Sequence, residues 1–176
     1  MYKRQVYAYT GRINRRPFLC LIAPGLGFGP LMVVGTAYAS TAAWSADAFV
    51  ASLAPFFLVS NLLLLNQFPD MDADRSVGRN TLPLAIGTSA SLHVYGTFAL
   101  LAYLSIIMGA AVGSLPVASL AGLATAPTAL SVFRGLKTHP VDPERTNFAI
   151  EPLLARNVLV SLVTPALMIG GLLLSN

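Results

Sequence analysis

The stretch "NLLLLNQFPDMDADRSVGRNTLPLAIG", residues 61–87, joins an apolar run to a cluster of acids. Leu62 to Leu65 close a hydrophobic segment that begins near Ala46. Three aspartates then follow at alternate positions, Asp70, Asp72 and Asp74, with Arg75 next in line and Arg79 just past Gly78. A carboxylate resists the middle of a bilayer by about 2.5–3.5 kcal/mol on insertion scales. The stretch therefore reads as a helix leaving a membrane, with its acids at the polar edge.

The whole chain supports that reading. Of 176 residues, 55% are hydrophobic and only 10% are charged, and the mean hydropathy is +0.68. A soluble domain carries about a quarter charged residues, so the composition argues for a membrane protein. A helix rising about 1.5 Å per residue needs roughly 20 apolar residues to cross a hydrocarbon core of about 30 Å. Five runs qualify: 18–41, 46–68, 89–112, 115–133 and 153–174. Pro116 and Pro127 interrupt the fourth, and Arg156 and Asn157 lie near the start of the fifth. The runs do not alternate with polar residues as barrel strands do. The expected fold is all-α, a polytopic transmembrane bundle of about five spans, with residues 1–16 as a basic lead-in and 17–176 as one membrane domain.

All eleven basic residues fall on one side of this topology: Lys3, Arg4, Arg12, Arg15, Arg16, Arg75, Arg79, Arg134, Lys137, Arg145 and Arg156. That side should face the cytoplasm, which puts the aspartates there too, with the N-terminus inside and the C-terminus outside. The net charge of +4 suits anionic headgroups at the inner face, and no nucleic-acid motif accompanies it. Cys20 stands alone within a span and reads as a packing residue. In "PGLGFGPLMVVGTAYAS", residues 24–40, small residues would let helices approach closely and prolines would bend the helix.

If the second helix continues through residues 66–75, Asp70 and Asp74 share one face with Asn66 a turn earlier, and Asp72 points about 200° away. Paired carboxylates and an amide oxygen suit a hard divalent ion, Mg²⁺ above all, which completes its shell with waters and phosphates. Arg79, with Arg75, would then contact the same phosphates. The plainer alternative is a solvated acidic–basic loop that stops the helix at Pro69 or Gly78. His93 reads as a packing or interface residue, Tyr95 and Tyr103 as packing or interface anchors, and Asn157 as a cross-helix hydrogen-bonding group. Arg134, Lys137 and Arg145 read as a positive-inside feature.

Asn66-Gln67-Phe68-Pro69-Asp70-Met71-Asp72-Ala73-Asp74, then Arg75, Gly78, Arg79, Thr81, Leu82 and Gly87, resembles the second aspartate-rich motif of the UbiA superfamily of intramembrane prenyltransferases. The nearest branch by this motif is the 1,4-dihydroxy-2-naphthoate, menaquinone-type one. The segments "GLGFGPLMVVGTAYAST" and "LLARNVLVSLVTPALMIGGLLL" resemble that branch's helix before the motif and the family's last helix. The resemblance implies nine spans around a cavity whose cytoplasmic mouth carries two aspartate motifs. These hold Mg²⁺ and the diphosphate of a polyprenyl donor, whose prenyl group passes to an aromatic acceptor. It assigns metal binding to Asp70, Asp74 and, in a supporting role, Asp72. Asn66, Arg79 and Arg75 become diphosphate contacts. The setting is the inner membrane, and the partners are the lipid bilayer, the donor and the acceptor.

Two departures follow. Asn80 stands where the family often has a basic residue, and no N-D-x-x-D pattern precedes residue 61, Asp47 being the only acid there. The chain is thus expected to match the second half of such an enzyme, to lack an N-terminal half, and to be inactive alone. Two other readings compete: a non-catalytic membrane subunit or remnant, and a cation-conducting protein. The latter predicts acids deep within spans, and these spans are nearly free of acids.

Overall fold

The computed structural model describes residues 16–138 and 147–174. Most of the basic lead-in (Lys3, Arg4, Arg12 and Arg15), together with His139, Pro140, Pro143 and Arg145, lies outside the described residues. Seven helical elements follow in order: α1 (Pro17–Thr41), α2 (Ala46–Asn66), α3 (Met71–Ser76), α4 (Leu82–Ile86), α5 (Thr88–Ala111), α6 (Val117–Thr138) and α7 (Asn147–Leu174). No strand occurs among the described residues. Five of these helices are long and apolar enough to cross a membrane, so the chain is an all-α polytopic bundle.

The prolines explain the local irregularities. Proline lacks an N–H and pushes on the carbonyl four residues back, which can make a helix re-register; Pro55, Pro152 and Pro165 nonetheless sit within unbroken α-helices. In α1 this happens across Gly27–Leu31, a π turn containing Pro30, where the Met32 N–H reaches back to Gly27 O. The fourth span is not broken by its prolines. Pro116 leads into a 3₁₀ stretch, Val117–Thr125, and Pro127 falls in the first turn of the α-helix that follows, where no N–H is required. This helix runs to Thr138, beyond the expected residue 133, because its last turns are amphipathic: Leu136 is buried while Arg134 and Lys137 are exposed.

α1 lies against α2 because glycines face that contact. A Cβ on Gly29 would come within 2.7 Å of Ser52 O and 2.8 Å of the Phe56 Cβ, and one on Gly25 would collide with Ser60 and Phe56. α2 sits centrally, against α1, α5 and α7. One core cluster (Leu64, Leu65, Phe68, Leu82, Tyr95, Leu136 and others) lies at the end bearing the aspartates. A second, around Leu58, Ala102, Ile106, Val160 and Met168, fills the rest.

Lipid is as apolar as leucine, so helix association needs close packing and interhelical hydrogen bonds. Both are present. The Tyr95 hydroxyl donates to Asn157 Oδ1 (2.8 Å), Asn157 Nδ2 donates to Asn61 O (3.4 Å), and Asn61 Nδ2 donates to Tyr95 O (2.9 Å). This ring ties α2, α5 and α7 together. Asn157, read from sequence as a cross-helix hydrogen-bonding group, is thus buried in the core, while the neighbouring Arg156 is exposed. Lower in the bundle Thr125 bridges Tyr103 (3.0 Å) and Thr164 (2.6 Å).

Candidate diphosphate and cation site

The expected helix through residues 66–75 does not form as one piece. α2 ends at Asn66, residues 67–70 turn, and the short α3 begins at Met71. Pro69 supplies the reason: in a continued helix its ring would strike the carbonyl of Leu65. The spacing of the acids survives the break, because the Asp74 N–H donates to Asp70 O at 2.8 Å and so keeps the two residues one helical turn apart.

After α3 the chain doubles back at Gly78, whose φ of +70° belongs to the left-handed region. That reversal lets Arg79 meet Asp74 twice. Its backbone N–H donates to Asp74 O (2.9 Å), and its Nη1 donates to Asp74 Oδ1 (2.9 Å). The side chain of Asp74 is 7% exposed and that of Arg79 is 47% exposed. A buried carboxylate thus faces a half-solvated guanidinium, its neutralising partner.

Asn66, Asp70, Asp74 and Arg79 line a single cavity of about 110 Å³, together with Leu63, Gln67, Thr81 and Cys20 of α1. Asp72 and Arg75 are exposed on α3 and do not line it. Four of the six residues singled out from sequence therefore converge and two stay at the rim. Gln67 and Thr81 were given no role by sequence, although Gln67 adjoins Asn66 and Thr81 belongs to the quoted motif. Gln67 Nε2 donates to Cys20 Sγ (3.7 Å), but its Oε1 has no hydrogen-bond partner, nor has Thr81 Oγ1. Both residues are at most 5% exposed. An unpaired polar atom in such a place costs about 1–3 kcal/mol, a penalty that a ligand entering the cavity can relieve.

No group of three or more His, Cys, Asp or Glu side chains among the described residues forms a metal cage. Two carboxylates, two amide oxygens and a hydroxyl are nonetheless hard oxygen donors, and Mg²⁺ prefers one or two carboxylates with waters and phosphate oxygens over an all-protein cage. The residues present fit that ion.

The sequence matches the UbiA prenyltransferase family over residues 5–151. Comparison with curated proteins and with solved structures finds no match.

Proposed function

Because the chain belongs to the UbiA prenyltransferase family, we propose that it serves in transfer of a polyprenyl group from its diphosphate to an aromatic acceptor, 1,4-dihydroxy-2-naphthoate, in menaquinone biosynthesis. The family generally uses Mg²⁺ at aspartate motifs and implies a prenyl diphosphate, an aromatic acceptor and a lipid bilayer. The observation that carries the assignment to this chain is the convergence of Asn66, Asp70, Asp74 and Arg79 on one cavity at the end of a membrane-spanning helix.

In this reading Asp70 and Asp74 hold Mg²⁺, which when bound supplies positive charge to a departing diphosphate. Asn66 orients the same ligand. Arg79 swings from Asp74 to the diphosphate oxygens, which its planar fork matches. Asp72 and Arg75, exposed on α3, act from the rim on the approaching ions. The excess of basic residues at this end of the bundle supports a position at the cytoplasmic face of the inner membrane. The lipid-facing helices leave the donor's long tail in hydrocarbon.

One acidic cluster forms one wall of a clamp. We propose that the chain works with a segment that supplies a second aspartate motif, and that alone it turns over donor poorly. The test uses the purified protein with Mg²⁺, geranylgeranyl diphosphate and 1,4-dihydroxy-2-naphthoate, with and without such a segment. The proposal expects prenylated product only in the pair, and its loss in Asp70→Asn and Asp74→Asn. Full turnover by the double variant Asp70→Asn/Asp74→Asn would refute the assignment.

A further inference from the structure

Between α5 and α6, away from the aspartate cavity, a groove changes character along its length. At the end of the bundle that carries the aspartates it is a cavity of about 180 Å³, lined by Thr88, Ser89, His93 and Lys137 with Leu92 and Leu136. Further into the bundle it becomes a trench of about 320 Å³ lined by Gly96, Ala99, Leu100, Tyr103 and Leu130. Phe133 lines both parts, so the two adjoin at its ring. Gly96 lets that ring come close to α5. A Cβ there would come within 2.9 Å of the Phe133 ring, which lies against the backbone of α5 where a side chain would otherwise stand.

We propose that this groove binds one anionic phospholipid, with its phosphate at Lys137 and an acyl chain in the trench. Three features select that occupant. The polar part holds an ammonium group, Lys137, with Arg134 exposed one turn back on the same helix, and lining residues include no acid. The polar part also offers neutral hydrogen-bonding groups. His93 donates from Nδ1 to Ser89 O (2.9 Å), which leaves Nε2 to accept from a hydroxylated headgroup. Finally, the length is right. From Ser89 to Leu100 the helix rises about 16 Å at about 1.5 Å per residue, against about 15 Å for one leaflet's share of the hydrocarbon core. A lipid seated this way keeps its phosphate at the interface and its chain end near the midplane.

The prenyl donor is a poorer fit. A diphosphate carries about twice the charge of a phosphodiester and needs a cation cluster or a metal, whereas the polar lining supplies one lysine and no carboxylate to hold a metal. The groove also shares no lining residue with the aspartate cavity. The lipid site therefore stands or falls independently of the catalytic proposal.

The test is native mass spectrometry of the full chain, delipidated in detergent and titrated with phosphatidylglycerol, phosphatidylcholine or geranylgeranyl diphosphate. Wild type should retain one phosphatidylglycerol per chain with roughly fivefold preference over phosphatidylcholine, the factor expected of one lysine near an anionic surface. Lys137→Gln should abolish the preference, and Ala99→Trp should empty the trench for both lipids. If Ala99→Trp fails to fold, as judged by its melting transition, Leu130→Trp replaces it, since Leu130 is 45% exposed and tolerates a larger side chain. Equal retention of both lipids by wild type, a preference unchanged by Lys137→Gln, or displacement of the lipid by geranylgeranyl diphosphate would each overturn the proposal.

Discussion

Replacing Arg79 by alanine should change metal binding and diphosphate binding in opposite directions. In the free protein the guanidinium sits 2.9 Å from Asp74 Oδ1. A Mg²⁺ held at Asp74, as proposed, would compete with Arg79 for the charge of that one carboxylate. Two unit charges about 4 Å apart attract by about 4 kcal/mol at the effective dielectric of a protein surface. Arg79 is half exposed, and exposed pairs return about 1 kcal/mol or less in double-mutant cycles. The buried state of Asp74 lifts the figure above that floor. Competition thus amounts to about 1–3 kcal/mol, or roughly 5–150-fold in affinity. Arg79→Ala should bind Mn²⁺ or Mg²⁺ alone more tightly by a factor in that range. With inorganic diphosphate present it should bind the metal–diphosphate pair more weakly than wild type, because a bidentate contact is gone. Calorimetric titration of purified protein, with metal alone and then with metal plus diphosphate, measures both. A variant that binds the lone metal as weakly as wild type, or more weakly, refutes the competition argument.

Three further outcomes follow from the geometry. Gly78→Ala places a Cβ at φ +70° and should cost roughly 1–2 kcal/mol in the α3–α4 turn, seen as lost metal–diphosphate affinity with little change in the melting of the bundle. Tyr95→Phe removes the 2.8 Å bond to Asn157 and should lower stability by about 0.6–1.7 kcal/mol while leaving metal binding intact; unfolding in mixed micelles reports it. Gly29→Leu drives a side chain into Ser52 O and Phe56 and should destabilise the α1–α2 contact by about 1–3 kcal/mol, read as faster proteolysis of α1.

Hydropathy alone located the five spans because each is a continuous apolar run whose exposed surface, such as Leu31 at 72% and Leu162 at 65%, is matched to lipid. Its errors have local causes. The second span was drawn two residues long, through Phe68, because phenylalanine is apolar whether or not Pro69 lets the helix continue. The fourth was drawn short because Arg134 and Lys137 lower the average, although a helix can carry its charged face past the membrane edge. The site was legible where sequence neighbours carry it: Asp70 and Asp74 stay a turn apart through one backbone hydrogen bond. It was illegible where distant segments meet. Cys20 reaches Gln67 across 47 positions, and Thr81 is buried because Leu82 brings α4 back under the core. No local pattern announces either contact.

The same architecture sets the short α3 apart from the bundle of long helices. The polar ring of Asn61, Tyr95 and Asn157 and the small-residue seam at Gly25 and Gly29 bind long helices to one another. Neither reaches α3. That six-residue helix packs chiefly against the five-residue α4, and among the described residues the Asp74–Arg79 pair ties its side chains to the following loop. Segments with few buried apolar contacts open at low free energy. A cation bound at Asp70 and Asp74, as proposed, would shift α3 while leaving the bundle in place. The Arg79 side chain, freed in the same step, would then be available to a diphosphate. On the proposed function, metal and diphosphate binding would be coupled through this ion pair, and by thermodynamic reciprocity each ligand would strengthen the other by the same factor.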